Sequence, residues 1–258
     1  MSYFTANNKY LTANEKYLTG ARPLDVSVPW FGLLYNWYAV DTSILAPIGW
    51  HVPSASEFTV LVDYLGGESS AGGKLKANVS SWRLPNIDAT NISGFTALCA
   101  NLRYPWDVYS LITGAFSNQV ESQVYPPDSE EGEITTFWSC TKDFEGYVFV
   151  MTLISNSYEA TIATSSISLD KTANPGVSIR CIRDNSVGWV SSETITDYDG
   201  NTYNTVQIGT QIWTKQNLAV TRYNEGTIIP EVTDPSLWYD ISSGSLCAYR
   251  NDWSYVFV

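Results

Sequence analysis

From Trp30 to Val40 the chain runs through aromatic and aliphatic residues almost without interruption (WFGLLYNWYAV), and this run predicts a core strand. Asp41 to Gly49, with Pro47 and Gly49, reads as a loop. Ser54 then opens the clearest helix. Glu57 stands in capping-box position, Phe58, Leu61, Val62 and Leu65 fall at i, i+3, i+4 and i+7, and Gly66 ends it. Gly66 to Gly94 is rich in Gly, Ser and Asn, with a short helix predicted only around Lys74 to Ala77. Apolar text resumes over Phe95 to Leu102. Beyond it, Phe137–Thr141, Tyr147–Ile154, Tyr158–Ile162 and Val177–Asp184 have strand composition. Alternation in the last puts Val177, Ile179 and Cys181 on one face and Ser178, Arg180 and Ile182 on the other, after a turn at Asn174-Pro175-Gly176. A meander follows: Glu193–Tyr198, an Asp199-Gly200 hairpin, Tyr203–Ile208, a Gly209-Thr210 turn and Gln211–Trp213. Ser254 to Val258 reads as a closing strand.

Two stretches fall outside this pattern. Tyr104 to Glu133 is long and irregular, carrying Pro105, Pro126, Pro127 and the acidic run Asp128-Ser129-Glu130-Glu131. Such a stretch inside a compact domain is commonly functional, which makes Trp106, Tyr109 and Tyr125 candidate ligand contacts: rings that stack on sugars or on a protein patch, as against buried loop anchors. Asp128, Glu130, Glu131 and Glu133 are the residue types that hold Ca²⁺, but a solvated acidic loop is the favoured reading, and no metal or cofactor is assigned. Residues 2–22 divide into three sevens, SYFTANN, KYLTANE and KYLTGAR. The pairs Tyr3-Phe4, Tyr10-Leu11 and Tyr17-Leu18 recur in register. Adjacent pairs form an a/d seam only where Tyr and Ala13 or Gly20 serve as knobs, so against a coiled coil the stretch reads rather as an anchor arm whose pairs each dock on another surface, with a linker to residue 29.

Composition narrows the function classes. With 258 residues, 44% hydrophobic and 16% charged, the chain is a globular one that can bury a full core. Fourteen basic against 26 acidic residues give −12, a charge that repels phosphate backbones and points away from nucleic acid. The lone histidine, His51, leaves neither a histidine-rich metal site nor a spare catalytic base, and reads as structural. Cys99, Cys140, Cys181 and Cys247 contain no CxxC and read as reduced, buried, small apolar residues. Neither a span nor an anchor for membrane insertion is evident. Asn78 and Asn91 begin N-x-Ser triplets that are read as incidental.

From Asp197, DYDGNTYNTVQIGTQIWTKQNLAVTRYNEGTIIP resembles the opening of the Fibrobacter succinogenes major paralogous domain, and FGLLYNWYAV, GWHVPSASEF, LGG, AGGKLKA, GFTAL, FWSCT and NPGVSIRCIRD resemble the rest of it. The resemblance covers about Trp30 to Asp184 and Thr194 to Asp252. The order is inverted: the RCIRD segment, last in the family, precedes the DGN segment, usually first. The resemblance therefore implies a circular permutation, with residues 30–184 and 194–258 combining into one unit across a 185–193 linker, within the subunit or with a neighbour. It also implies an α+β, C-type lectin-like fold of small twisted antiparallel sheets, two helices and long loops, presenting ligand contacts from about Leu102 to Thr136. This sequence departs from the family at Ala46-Pro47, where Cys-Pro is common, and it lacks the calcium-dependent sugar motifs of true lectins.

Three functions compete on this reading. The leading expectation is a non-enzymatic virion protein of phage head-fibre or decoration type: a trimer, anchored to a capsid or other virion protein through residues 1–22 and presenting the domain to a host-surface glycan or protein. The absence of a charged start followed by an apolar run in Met1–Arg22 motivates it. The alternative is a secreted or cell-surface adhesin or carbohydrate-binding module. An oxidase similar to formylglycine-generating enzymes ranks last, since that chemistry needs a pair of reactive cysteines and no suitable spacing is present.

Overall fold

Asn36 cuts the Trp30–Val40 run in two. Leu33–Tyr35 forms strand β1, and Asn36 then accepts the Ala39 N–H on its side chain, so that Trp37–Asp41 turns into a short helix, α1. The expected single strand is therefore a strand and a capped helix, because a polar residue fully buried at the junction caps better than it extends. The computed structural model describes residues 31–79, 81–103, 132–168, 175–184 and 194–256.

After β2 (Trp50–His51), helix α2 (Ala55–Tyr64) starts at Ser54 with the full reciprocal capping box that the Ser-x-x-Glu spacing predicts. Helix α3 (Glu68–Leu75) begins six residues before the short helix expected at Lys74. Its two glycines disguise it in sequence, and tertiary packing outweighs their poor propensity. Strands β3 (Ile134–Lys142), β4 (Tyr147–Ile154) and β5 (Ala160–Ser168) form an antiparallel sheet in that order. Strands β6 (Ile182–Arg183), β7 (Thr194–Thr196), β8 (Thr202–Ile208) and β9 (Gln211–Thr214) join β2 in a second sheet, ordered β2-β6-β9-β8-β7. An unanticipated helix, α4 (Pro235–Asp240), precedes β10 (Leu246–Ala248), which pairs with β1. The closing stretch is not a strand where described: Asp252 accepts the Ser254 N–H and Trp253–Tyr255 makes a 3₁₀ turn. The architecture is α+β, with few short helices between antiparallel sheets.

Alternation along the strands separates two cores. Val177, Ile179 and Cys181 join Leu33, Tyr35, Trp37 and Trp138 in one, whereas Phe58, Phe95, Phe137, Trp213 and Ile182 fill the other. Ser178 and Arg180, which alternation would turn outward, are buried too, because that face meets the second core instead of water. Among these rings Phe58 stacks on Trp213 at 5.5 Å, and Phe95 stands edge-on to both Trp213 and Phe137 at 5.7 Å. Each such pair contributes about 1 kcal/mol beyond its buried area.

The segment after Thr194 completes this scaffold within the same chain. Ile182 pairs with Trp213, Leu33 with Ala248 and Tyr35 with Leu246. Tyr203 lies in the first core with Trp37, and Trp50 packs against it.

Candidate functional site

Arg103 and Gly132 are the described residues that flank 104–131, and Asn101 and Thr135, close to each in sequence, are partners in a parallel bridge. On the outgoing side the backbone of Arg103 exchanges two hydrogen bonds with Gly176, both 2.8 Å. The Arg103 guanidinium is fully buried over the Trp238 ring at 4.7 Å. It donates to the Val232 carbonyl (2.9 Å), the Thr233 carbonyl (2.8 Å) and Asn251 Oδ1 (3.1 Å). On the returning side the Gly132 carbonyl accepts the Arg83 N–H at 2.8 Å, Glu133 pairs with the Arg83 guanidinium, and the Glu133 carbonyl accepts the Ser155 N–H at 2.7 Å. Five separate segments thus grip the two ends.

Among the described residues Arg103 is one of three buried cations, with Arg180 and Lys76, that are stabilised largely by carbonyls and ring faces. Arg180 donates to Asn217 Oδ1 (2.6 Å) and to the carbonyls of Phe95 (2.6 Å), Thr214 (2.9 Å) and Thr96 (2.8 Å), with Phe95 at 4.5 Å. Burial pushes its pKa down to about 9, still charged at neutral pH. Lys76 Nζ donates to the carbonyls of Ile154 (3.0 Å), Ser155 (3.2 Å) and Ser157 (2.7 Å), and burial lowers its pKa to about 8. These cations neutralise carbonyls that the sheets leave over, which is how irregular chain is held inside a folded core.

His51 joins the two halves of a clasp between β2, α2 and the end of β6. Nδ1 lies 2.6 Å from Asp184 Oδ1 and Nε2 lies 2.9 Å from Glu57 Oε1, so both ring nitrogens face a carboxylate. The bond to Glu57 raises the His51 pKa, burial lowers it, and the bond to Asp184 raises it again, for a net increase. Burial raises the Glu57 pKa, but the bonds from His51 and Ser54 outweigh it and bring the carboxyl to about 2. The sign of each pH effect follows. His51 contributes stability that is complete below its unfolded pKa of about 6.5 and is lost as pH rises through the higher folded value. Glu57 contributes above its ordinary 4.5 and loses that contribution as pH falls toward about 2. The clasp is therefore strongest between those ordinary values. A His51→Gln variant is expected to be less stable than wild type at pH 5.5 by about 1 kcal/mol, a value discounted for the exposure of His51 and Asp184, with the gap closing by pH 9. Urea midpoints at the two pH values measure it.

Trp106, Tyr109 and Tyr125, the acidic positions Asp128, Glu130 and Glu131, and the arm residues Tyr3, Phe4, Tyr10, Leu11, Tyr17 and Leu18 lie outside the described residues. Glu133 is described and is committed to Arg83. All four cysteines are free. Cys99, Cys181 and Cys247 are buried, but Cys140 is exposed, correcting the expectation for that residue. Burial raises all four thiols, and the Glu57 charge adds to the effect at Cys140. Among the described residues no cluster of three or more His, Cys, Asp or Glu is arranged for a metal ion, and no helix is long and apolar enough to cross a membrane. Asn91 spends its side chain on Thr96, accepting its N–H at 2.8 Å and donating to Oγ1 at 3.0 Å, so that triplet shapes a turn. The cation cradles escaped sequence reasoning. Their one signal was a Lys or Arg inside otherwise apolar text, as in KLKA and VSIRCIRD.

A family model for the Fibrobacter succinogenes major domain matches residues 2–183, ending before the segment that starts at Thr194. No curated protein and no solved structure matches the chain.

Proposed function

The chain belongs to the Fibrobacter succinogenes major domain family, and from that membership and the grip on residues 104–131 we propose that it is a non-enzymatic display protein. In this reading the domain is lectin-like in circularly permuted order, residues 104–131 supply its ligand contacts, and the N-terminal arm fixes it to a virion surface. The grip is the observation that carries the proposal. A buried arginine with three donor contacts on one side, and an ion pair with two backbone bonds on the other, fix the chain at both flanks of residues 104–131. The return of β9 to β6 and of β10 to β1 supports the permuted order, and the threefold SYFTANN-type repeat supports the arm. The oxidase reading draws no support from thiols that are all free and all raised.

Binding to a glycan array and to host cells is the test. The Trp106→Ala/Tyr109→Ala double variant is expected to bind at least about 30-fold more weakly than wild type, the loss of one aromatic hot spot of about 2 kcal/mol, at an unchanged thermal midpoint. Equal binding refutes the assigned contacts. Mass spectrometry of purified particles tests the carrier: the chain is expected on them, and its recovery from a cell envelope or culture medium instead would replace the virion with a cell surface.

A further inference from the structure

The described strands differ in how their outer edges are closed. In the five-stranded sheet β7 has three residues and β2 has two, too short to template another strand. The outer side of β3 is taken by bridges from Thr135 to Asn101 and from Phe137 to Ser178, with the Trp138 N–H on the Ser178 carbonyl at 3.2 Å. β10 has β1 on one side and a bridge to Glu231 on the other. Strand β5 is the exception: nine residues at the edge of its sheet, paired only with β4 among the described residues.

Two of the devices that usually keep such an edge from pairing, charge and proline, are missing. Ala160–Ser168 (ATIATSSIS) contains no charged residue and no proline, in a chain with 40 charged residues (14 + 26) out of 258, and Thr161, Ile162, Thr164 and Ile167 are β-branched. A register shift separates the Phe149–Thr164 and Tyr147–Ser168 pairs, which leaves Ala160 to Thr164 as the regular part of the edge. Within it Ile162 packs against the second core, while Thr161, Ala163 and Thr164 are exposed. The strand is also firmly placed: Lys76 holds the turn that leads into it, and α3 lies against the Glu159 backbone.

We propose that this edge is a self-association surface, at which a second copy of the chain adds its own β5 antiparallel and joins two three-stranded sheets into one. Charge selects the occupant. In a molecule of net charge −12 most surfaces repel their own copy, but an uncharged strand meets its twin without opposing carboxylates. With the two-fold axis at Ala163, the small exposed residue faces itself, Ile162 faces Thr164, and Glu159 falls opposite position 167 and not opposite its own copy.

Sedimentation velocity of the full chain across a concentration series tests this directly. Wild type is expected to form a dimer, and Ala163→Lys, which sets two like charges on the axis, is expected to fall to about half that mass with the same circular dichroism and thermal midpoint. Hydrogen exchange supplies an arm that needs no variant: amide protection at residues 161–164 is expected to rise with wild-type concentration. A wild type that stays monomeric, an assembly of any size that Ala163→Lys leaves intact, or protection at 161–164 independent of concentration each overturns the proposal.

Discussion

Replacing Arg180 with alanine is expected to destabilise the domain by about 4 kcal/mol, enough to remove most of the stability of an ordinary domain. The guanidinium is 1% exposed and serves four acceptors: the carbonyls of Phe95, Thr96 and Thr214 and the side chain of Asn217. Removing it strands those acceptors in a space between two aromatic rings, and an unsatisfied buried acceptor costs about 1–3 kcal/mol. The same deletion removes one link between the two parts of the chain, since Asn217 also donates to the Phe31 carbonyl at 2.8 Å and Thr214 is the last residue of β9. Arg180→Met separates packing from bonding: it keeps an apolar stem against Phe95 but offers no donor, and is expected to recover no more than about 1 kcal/mol of the loss. Urea unfolding of the two variants decides it. A loss below about 1 kcal/mol for alanine would show that water replaces the guanidinium at little cost.

Gly72→Ala is expected to cost about 3 kcal/mol, although propensity alone favours alanine in a helix by about 1 kcal/mol. A Cβ at position 72 would stand 2.0 Å from the Glu159 carbonyl oxygen, 2.5 Å from its carbon and 2.9 Å from the Tyr158 oxygen. These are backbone atoms and cannot swing aside as a side chain would. Relief requires α3 to move away from the turn before β5, which pulls Lys76 from the carbonyls of Ile154, Ser155 and Ser157. Thermal unfolding checks it. A midpoint equal to or above wild type would mean that the helix and turn separate without loss.

These two effects also mark where sequence reasoning stops. The α2 helix was legible because its cap, its apolar stripe and its terminal glycine lie within a dozen residues. The β8–β9 hairpin was legible for the same reason, from Gly209-Thr210 between two alternating runs. α3 was not, because Gly72 and Gly73 reduce the helical signal and are explained only by Glu159 and Asp88 lying against them. The two faces of Val177 to Ile182 were legible from alternation, but what the second face packs against, another core, was not. Asn36 shows the converse: a single side chain cut an apolar run that periodicity read as continuous.

The amino-acid sequence by itself determined the family, the α+β class, the capped helix, the meander and the acidic surface, because composition, local spacing and short motifs carry that information. Only the tertiary structure decided that Thr194 onward returns to the first half of the same chain, that Arg103, Arg180 and Lys76 are buried tethers, and that β5, among the described residues, is an edge strand paired only with β4. The partners that make each of these lie far along the chain, as with Arg180 and the Phe95 carbonyl 85 residues away, and contacts at such separation leave no period or spacing to be read.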